Sequence, residues 1–456
     1  MKPGAETLSV QEIRRDLAER AAKQEMPAYV YMYPPKSAYV PFSDGSIAAQ
    51  TWDGVKGAVS LYVHFPFCEM KCSFCSLFAT TRHDEDTLAY YVDTLVRELD
   101  LACDCLESRT LDVRSIYFGG GTPTILPTPL IGRLLDHVRR RLRVAPDAEV
   151  SIEAAPNSID ENTCSDLRRA GFNRISIGIQ SFADAELLAM GRSYDRAIAI
   201  RAVLAAQQAG FSNVNIDLIY GLADQTAEAW CRNLEQAIAL KAPTMTLYPL
   251  VVRARTSYGR QYSVSGGRFV SSSEKLRWYD GALGLLDSAE YTQQTFVTFT
   301  RPGGGCEYEA NEFLGLPTIG LGAGARSRAP TLHYTSGVYI RPPSTATVLQ
   351  NYFESVRTRR ELPVRSAAAL NEEEIIREYA ILRLLYIGID TADYIERFGE
   401  PMDRRFGPEL EALRQEGLLE TRGDRVQLTR RGRRFSSLVG ELLSSSAVKG
   451  LSNAYL

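Results

Sequence analysis

The sequence lacks any long hydrophobic run, and its charges nearly balance. No apolar stretch approaches the roughly 20 residues that a helix needs to cross a bilayer, and the Met1 end shows no basic segment followed by an apolar one. The formal net charge is −3 over 456 residues, which gives no electrostatic reason to expect nucleic acid or an acidic membrane surface as a partner. We therefore expect a cytoplasmic protein with neither of these partners.

Cysteine is sparse, and most of it shows no pairing pattern. Five of the eight cysteines are scattered along the chain: Cys103, Cys105, Cys164, Cys231 and Cys306. This spacing does not indicate a disulfide framework and favours a reducing compartment. Histidine is scarcer still, with four in the chain, so few imidazoles are available as metal ligands.

The other three cysteines form a cluster within "YVHFPFCEMKCSFC". Cys68, Cys72 and Cys75 have C-x3-C-x2-C spacing, one ligand short of the four that a structural zinc or a sealed iron–sulfur cluster takes. For zinc, His64 or His83 would have to supply the fourth ligand, and neither has the usual paired spacing. Three thiolates can instead hold three irons of a [4Fe–4S] cluster and leave the fourth iron open. The spacing favours such an open cluster.

Short β-rich runs alternate with helical patterns through the first half of the chain. The candidate strands are residues 59–65, 114–120, 149–155, 174–180, 213–221 and 245–250. Strands about 30 residues apart with helices between them predict βαβ units and a parallel sheet. We predict an α/β fold, a partial (β/α)6 TIM-like barrel, for which an open doubly wound sheet is the alternative. The cysteine cluster then lies in the first βα loop, on the usual active-site face.

The composition divides the chain into four segments: 1–57, 58–255, 256–368 and 369–456. The first, with "YVYMYPPKSAYVPF", is predicted to be an extended, non-helical N-terminal arm. The second segment (58–255) is predicted to be the core. The third (256–368) is Gly- and Ser-rich and is predicted to extend the core in the substrate region. The last predicts a winged-helix-like α+β domain, because a helix is followed by a hairpin with "RGDR" at its tip. Its "RRGRR" is compatible with DNA binding, but acidic neighbours favour a packing or lid role.

Polar residues stand at the ends of several predicted strands. Glu153, Gln180 and Asp217 end the third, fourth and fifth strands, and "GGGTPT" follows the second. Carboxylates inside a barrel need partners, so we expect contacts with ammonium groups, ribose hydroxyls or an arginine. Consecutive glycines allow backbone amides to approach a ligand closely. Arg192 could pair with a ligand carboxylate.

These motifs together resemble those of the radical S-adenosylmethionine (SAM) superfamily. "YVHFPFC", "GGGTPT", "SIEAAP", "GIQSF", "MGRSYD" and "GFSNVNIDLIYGLADQT" are similar to its HemN-like branch, founded on the oxygen-independent coproporphyrinogen III dehydrogenase. The resemblance implies that Cys68, Cys72 and Cys75 bind a [4Fe–4S] cluster and that SAM chelates its open iron. One electron would then cleave the sulfonium to a 5′-deoxyadenosyl radical, with a flavodoxin- or ferredoxin-type protein as external electron donor.

HemN-like proteins characteristically bind two SAM molecules, so the resemblance also implies two sets of contacts. The first SAM would contact Tyr62, Gly120 and Glu153. The second would contact Phe74, Gly121, Thr122, Gln180, Arg192, Asp217 and Val251. Catalytic acids and bases for the substrate are not identified by the sequence. Six residues lie in segments that could close over the barrel mouth: Tyr31, Tyr33, Cys306, Tyr308, Glu309 and Arg326.

Four activities share this scaffold. Leu77 stands where coproporphyrinogen enzymes have a further cysteine, and "CEYEANEF" (306–313) lacks the His and Trp of the H-N-x-x-Y-W segment found in haem-chaperone relatives. Four histidines also disfavour haem ring opening. These absences favour a radical SAM methyltransferase or cyclopropanase that transfers a methyl or methylene group to an sp2 carbon of a small natural product. The alternatives are a porphyrin or haem enzyme resembling coproporphyrinogen III dehydrogenase, or a non-catalytic haem-binding chaperone.

Overall fold

The computed structural model describes residues 9–23, 32–106, 111–252, 256–260, 268–337 and 344–453. Within these residues, most strands belong to one 13-stranded sheet, and a separate three-stranded sheet lies near the C-terminal end. None of the helices in the described ranges combines the length and the apolar character that crossing a bilayer requires. Tyr31 and part of the predicted N-terminal arm lie outside the described residues.

The N-terminal segment contains helix α1 (Val10–Ala22), strand β1 (Val40–Pro41) and helix α2 (Gly45–Gln50). The prediction of a non-helical arm is therefore wrong for residues 10–22 and 45–50. Ser9 and Glu12 form a capping box at the start of α1, and this S-x-x-E pattern is a sequence signal for a helix start. Ile13 and Leu17 lie four residues apart and are buried in the same apolar cluster as the C-terminal helices.

Six parallel strands form the centre of the large sheet, in chain order from β2 to β7. The elements are β2 (Gly57–Phe65), α3 (Glu85–Cys105), β3 (Leu111–Gly120), α4 (Thr128–Arg141), β4 (Arg143–Ala154), α5 (Glu161–Ala170), β5 (Arg174–Gln180), α6 (Asp184–Ala189), α7 (Arg196–Gln208), β6 (Asn213–Tyr220), α8 (Ala227–Ala239) and β7 (Thr244–Pro249). The predicted strands and the partial barrel are confirmed. Asp84, Asp160 and Asp195 cap the helices that follow three of these strands.

The next segment adds strands to both edges of the same sheet. Its elements are α9 (Ser272–Ser288), β8 (Thr292–Gln293), β9 (Thr298–Thr300), α10 (Glu307–Leu314), β10 (Thr318–Leu321), β11 (Arg326–Arg328), β12 (Leu332–Ser336), α11 (Thr345–Phe353) and β13 (Val364–Ala369). β10 pairs in parallel with β2, while β9 pairs antiparallel with β7. The sheet ends at β1 and β8, so the barrel stays open.

Short helical turns lie between these elements: Lys36–Ala38, Pro123–Ile125, Pro156–Ser158 and the π-helical Glu354–Arg359. Helix α10 fills part of the barrel interior, since the Asn311 side chain donates to the hydroxyl oxygens of Ser60 in β2 and Ser115 in β3, both at 3.2 Å. The bounds of the four predicted segments (1–57, 58–255, 256–368 and 369–456) remain a prediction.

The C-terminal part combines helices with a small sheet. Its elements are α12 (Glu372–Leu385), β14 (Ile389–Asp390), α13 (Thr391–Phe398), α14 (Met402–Gln415), β15 (Leu419–Arg422), β16 (Arg425–Leu428), α15 (Arg430–Arg434), α16 (Ser436–Leu443) and α17 (Ser446–Asn453). The β15–β16 hairpin turns at Gly423 and Asp424. Arg430 and Arg434 of the "RRGRR" stretch pair with Asp287 and Asp280 of α9 at 3.0 and 2.9 Å. These arginines therefore bind the core extension.

Candidate functional site

A cavity of about 440 Å³ lies at the C-terminal ends of the parallel strands. Parallel strands bring their C-terminal ends to one edge of a sheet, where the following loops surround a common space. The cavity is lined by residues 68–72, 74–77, 120–122, 153–155, 192–194 and 248–251, together with Gln180 and Asp217. All three cysteines of the cluster belong to this lining.

The cysteine loop is fixed by backbone hydrogen bonds to its surroundings. The Cys68 amide donates to the Thr80 carbonyl at 3.0 Å, and the Ser73 amide donates to the Met190 carbonyl after α6 at 3.1 Å. Within the loop, the Cys75 amide donates to the Cys72 carbonyl at 3.1 Å. The loop thus holds the three partly exposed thiols along one side of the cavity.

The three thiols fit a [4Fe–4S] cluster in number and chemistry, since all of them line one cavity. Among the described residues, no three His, Cys, Asp or Glu side chains converge as ligands of a single metal ion. In a [4Fe–4S] cluster each thiolate binds a different iron, so its cysteines stand further apart. Burial raises the pKa of the Cys68 thiol to about 11 and also raises the pKa of Cys75. The residues present fit a cluster whose binding displaces protons from sulfur.

The glycine-rich turn after β3 packs against the cysteine loop. The Gly121 amide donates to the Phe65 carbonyl and the Thr122 amide to the Phe67 carbonyl, both at 2.7 Å. A Cβ on Gly121 would lie 2.4 Å from the Phe67 oxygen, so only glycine fits. The Gly120 amide donates to Glu153 Oε2 at 3.0 Å. The turn therefore uses its amides to join two loops, whereas the sequence suggested that they approach a ligand.

Two carboxylates border the cavity from β4 and β6. Glu153 accepts hydrogen bonds from the Tyr117 hydroxyl at 2.9 Å and from the Gly120 amide, and burial raises its pKa to about 7. Asp217 accepts from Asn215 Nδ2 at 2.8 Å and from the Ser176 hydroxyl at 3.1 Å. Burial also raises the pKa of Asp217. Both carboxyls are thus oriented by donors while facing the cavity.

Arg192 retains hydrogen-bonding capacity at the cavity wall. Its guanidinium lies over the rings of Phe74 and Tyr194, 5.8 and 5.6 Å from their centroids. Its Nε atom is buried and has no hydrogen-bond partner among the described residues, which suits an anionic ligand. Nearby, Gln180 has φ +67°, a left-handed conformation that non-glycine residues seldom adopt and that often marks a functional position.

Tyr62 differs from the other predicted contacts, because it is not among the residues that line the cavity. Its hydroxyl lies 3.0 Å from His64 Nδ1. Its ring stacks on Tyr117, with centroids 6.1 Å apart, and packs near Tyr308, 5.7 Å away. The other nine predicted SAM contacts all line the cavity.

Sequence reasoning missed Tyr117, Tyr194 and Tyr248. Tyr194 and Tyr248 line the cavity, and Tyr117 orients Glu153. The signal was the two-residue alternation of the strands. Side chains in alternate positions point inward and are mostly polar: Ser60, Tyr62 and His64; Ser115 and Tyr117; Ser151 and Glu153; Ser176 and Gln180; Asn215 and Asp217; Thr244, Thr246 and Tyr248. The intervening residues are buried aliphatic or aromatic side chains.

Comparison with known proteins identifies two parts of the chain. Residues 62–237 match the family model for the radical SAM superfamily, and residues 370–435 match the HemN C-terminal domain. The heme chaperone HemW of Escherichia coli is 35% identical over 272 residues, which cover 59% of this chain and 70% of that protein. The heme chaperone HemW of Mycobacterium tuberculosis is 29% identical over 384 residues, 83% of this chain and 93% of that protein.

These relatives overturn the predicted reaction. The sequence interpretation of a methyltransferase or cyclopropanase acting on a natural product is wrong, because the similar proteins carry the names of heme chaperones. The interpretation relied on residues missing from short segments, such as the further cysteine that Leu77 replaces. Similarity over the greater part of the chain outweighs such single differences. The haem-related alternative fits the relatives better.

A solved structure shows the same fold. Coproporphyrinogen III oxidase (HemN) from Escherichia coli superposes with a TM-score of 0.80 at 23% identity, covering 91% of this chain and 97% of that one. Radical SAM family membership implies a [4Fe–4S] cluster and SAM as cofactors. The motifs, the fold and the relatives agree: this chain belongs to the HemN-like branch of the radical SAM superfamily.

Proposed function

We propose that this chain binds and carries haem, on a scaffold that also binds a [4Fe–4S] cluster and SAM. The observation that carries the proposal is the match to the heme chaperone HemW of Mycobacterium tuberculosis, which spans 83% of this chain and 93% of that relative. A match over nearly the whole relative supports a shared task better than one confined to a cofactor-binding core, which many functions share.

Cys68, Cys72 and Cys75 would hold the cluster. When bound, the cluster and SAM together supply a one-electron cleavage of the sulfonium carbon–sulfur bond. The raised pKa values of Cys68 and Cys75 mean that these thiols are protonated before the cluster binds. Their protons must leave when iron binds, so cluster affinity should rise with pH. The Thr122 hydroxyl, 3.7 Å from the Cys68 sulfur, would donate to that thiolate.

The cavity side chains suit SAM in charge and position. Arg192 would bind the SAM carboxylate, since its buried Nε has no partner within the described ranges. Glu153 and Asp217 would accept hydrogen bonds from the SAM ammonium group or ribose hydroxyls. Two SAM molecules are part of this proposal. The first would contact Tyr62, Gly120 and Glu153, and the second Phe74, Gly121, Thr122, Gln180, Arg192, Asp217 and Val251.

Haem would bind across the cavity mouth. Leu77 is 55% exposed, and Val251 and Val252 are each 38% exposed, and Leu77 and Val251 line the cavity. Exposed apolar side chains beside a polar cavity indicate a binding surface. A porphyrin presents a large apolar face with two anionic propionates, and the exposed Lys71 on the same loop could pair with one of them.

The iron of such a haem would need a ligand other than histidine. No histidine is among the described residues that line the cavity. His64 and His333 are buried elsewhere in the barrel and sheet. His83 Nε2 lies 3.3 Å from the Cys68 carbonyl, and His137 pairs with Asp100 at 2.9 Å. Met70 does line the cavity, and its thioether is a known type of haem ligand. We assign Met70 as the candidate axial ligand.

An external electron donor of the flavodoxin or ferredoxin type would reduce the cluster. The cysteine loop carries the exposed residues Glu69 and Lys71 between its first two thiols. A donor that docks on this loop would approach the cluster across a short distance. This partner is proposed from the needs of the cofactor chemistry.

Haem titration of the anaerobically reconstituted protein tests the proposal. We expect stoichiometric haem capture, and about tenfold weaker binding or more in Leu77→Asp/Val251→Asp, the effect of losing about 1.4 kcal/mol. Leu204→Asp is the matched control, because Leu204 is also an exposed leucine, 40% accessible, on α7. Equal affinity in all three proteins would reject the cavity mouth as the haem site. Failure of the parent protein to bind haem would reject the function.

A second candidate is an enzyme that transforms haem. Anaerobilin synthase of Escherichia coli O157:H7 is 32% identical over 249 residues, 53% of this chain and 55% of that protein. Incubation with haem, SAM and a strong reductant separates the two candidates. A carrier returns haem unchanged, whereas an enzyme converts it and forms 5′-deoxyadenosine in step with the loss of haem.

A further inference from the structure

Three tyrosines form a compact group below the SAM cavity. The ring centroids of Tyr62 and Tyr117 are 6.1 Å apart, those of Tyr117 and Tyr308 are 5.0 Å apart, and those of Tyr62 and Tyr308 are 5.7 Å apart. We call Tyr62, Tyr117 and Tyr308 the tyrosine triad. Its members come from β2, β3 and α10, so the group exists only because α10 enters the barrel. Such distances are those of rings in direct contact.

Each of two hydroxyls in the triad donates to a group that can take up a proton. The Tyr117 hydroxyl donates to Glu153 Oε1 at 2.9 Å, and Glu153 itself lines the SAM cavity. The second pair is Tyr62 and His64. His64 Nε2 lies 3.2 Å from the Phe78 carbonyl, which only accepts, so Nε2 carries the proton and Nδ1 accepts from Tyr62 at 3.0 Å.

This pairing bears on redox chemistry. A phenol loses an electron far more readily when its proton can leave at the same time to a base within hydrogen-bond distance. A tyrosine without such a base must become a cationic radical inside the protein, where an unpaired charge is costly. Tyr352 has a similar pairing, since it donates to Glu98 at 2.6 Å, but the base beside Tyr117 is Glu153, which lines the SAM cavity.

We propose that the triad is redox-active, with Tyr117 as the residue that gives up an electron and a proton to a carbon-centred radical in the SAM cavity. The Tyr117 proton passes to Glu153, and Glu153 passes a proton to the radical carbon. The phenolic O–H bond breaks, a C–H bond forms, and the unpaired electron rests on the Tyr117 oxygen. Glu153 ends unchanged. The rings of Tyr62 and Tyr308 lie against the oxidised ring and stabilise it.

This inference goes beyond haem binding and gives the scaffold a way to end unproductive radicals without damage to the protein. It also explains why a carrier could keep a cavity for SAM and remain intact. The chemistry needs no further cofactor, because the oxidant is the carbon-centred radical itself. The two residues that carry the proton are Tyr117 and Glu153, while Tyr62 and Tyr308 contact the oxidised ring.

The test generates an oxidant without SAM or cluster. The full chain is flashed with a ruthenium polypyridyl photosensitiser and persulfate, then frozen, and the long-lived tyrosyl radical is measured by electron paramagnetic resonance. We expect Tyr117→Phe to lose this signal. Glu153→Gln should lose it too while Tyr117 is retained, because the amide cannot accept the proton. Circular dichroism reports whether each variant is folded.

Tyr220→Phe provides the matched control. Tyr220 is fully buried and lies against Trp230, 5.1 Å between centroids, but its hydroxyl has no hydrogen-bond partner in the described part of the chain. We expect its variant to keep the radical signal. The proposal is overturned if Tyr117→Phe retains the parent's signal, if Tyr220→Phe removes it equally, or if the parent forms no long-lived radical.

Discussion

The two ends of the barrel interior are both polar and each contains a cavity, yet they differ in the side chains that line it. At the N-terminal ends of the strands, the Gly305 carbonyl accepts from Arg174 Nε at 2.8 Å and from Asn213 Nδ2 at 2.9 Å. A cavity of about 470 Å³ lies there, and its Glu309 carboxylate accepts from Thr298 at 2.9 Å. At the C-terminal ends, here called the upper end, Arg192 Nε has no partner among the described residues, and the same holds for Arg174 Nη1 at the N-terminal ends.

The difference shows that inward polarity does not by itself mark a binding site. At the N-terminal ends of the strands, here called the lower end, the 303–306 loop and part of α10 line the cavity, and the Gly305 carbonyl of that loop accepts from Arg174 and Asn213. The upper end keeps a strained Gln180, an arginine with spare capacity and three thiols around an accessible space. The three thiols beside a positively charged side chain, and not a cavity or inward polarity alone, are what separate the upper end from the lower one.

The largest expected effect is the difference between replacing a cysteine at the upper end of the barrel and replacing one at the lower end. Cys75→Ala should abolish the brown absorbance of the reconstituted cluster and all SAM cleavage, because two thiolates cannot hold the cluster in its open form. Cys306→Ala, at the lower end, should leave both intact. Iron content and anaerobic SAM cleavage are the measurements. Retained cleavage in Cys75→Ala would refute the ligand assignment, and loss in Cys306→Ala would remove the distinction between the two ends.

The next prediction compares the arginines of the two ends. Arg192→Ala should weaken SAM binding by about 10- to 100-fold, the loss of a charged hydrogen bond worth about 1.5–3 kcal/mol, with little change in stability. Arg174→Ala should instead lower the free energy of unfolding by about 3 kcal/mol, because Arg174 is buried beside Glu149, 3.9 Å away. Calorimetric titration and urea unfolding measure these effects. The comparison would be contradicted if Arg174→Ala weakened SAM binding and Arg192→Ala lowered the free energy of unfolding.

A smaller effect depends on pH. Burial raises the pKa of Glu153 and of Glu98 from 4.5 to about 7, so in both cases the folded state holds a proton that the unfolded state has released. Their contribution to stability therefore falls as pH rises from about 4.5 to 7, by up to about 3 kcal/mol each at roughly 1.4 kcal/mol per unit. Glu153→Gln and Glu98→Gln should each make the free energy of unfolding depend less on pH over this range, as measured by urea unfolding at several pH values.

The two variants then diverge in SAM binding. Glu98 lies outside the cavity, where it accepts from Tyr352 and the Gly322 amide at 2.6 and 2.7 Å. Glu98→Gln should leave SAM affinity unchanged, whereas Glu153→Gln should remove the part of the affinity that increases as this carboxyl ionises. Identical SAM binding by both variants across pH would show that Glu153 does not contact SAM.

The sequence predicted the centre of the fold well because the signal there is local. Five of the six strands combine a β-rich run with a Gly or Pro at or just after its end, and α3, α5, α7 and α8 begin at residues with a capping side chain. Strands β8 to β13, which flank the six central strands, are only two to six residues long, and they depend on pairing with neighbouring strands. Short runs of this kind carry little local signal.

The candidate site was predicted in part for the same reason. The polar strand ends were readable, since parallel strands bring them together. Tyr117 was missed because its role depends on Glu153 in the next strand and on α10, nearly 200 residues further on in the chain. The role of the glycine turn also required the structure, because only the position of the cysteine loop shows where the turn amides donate. The reaction was predicted wrongly from a few absent residues.

The most direct test of the account is the electron paramagnetic resonance spectrum of the reduced, anaerobically reconstituted protein, recorded with and without SAM. An iron left without a protein ligand should bind SAM, so the cluster signal is predicted to change when SAM is added. A spectrum that is identical in the two samples, or a protein that purifies with zinc in place of iron, would contradict the central claim.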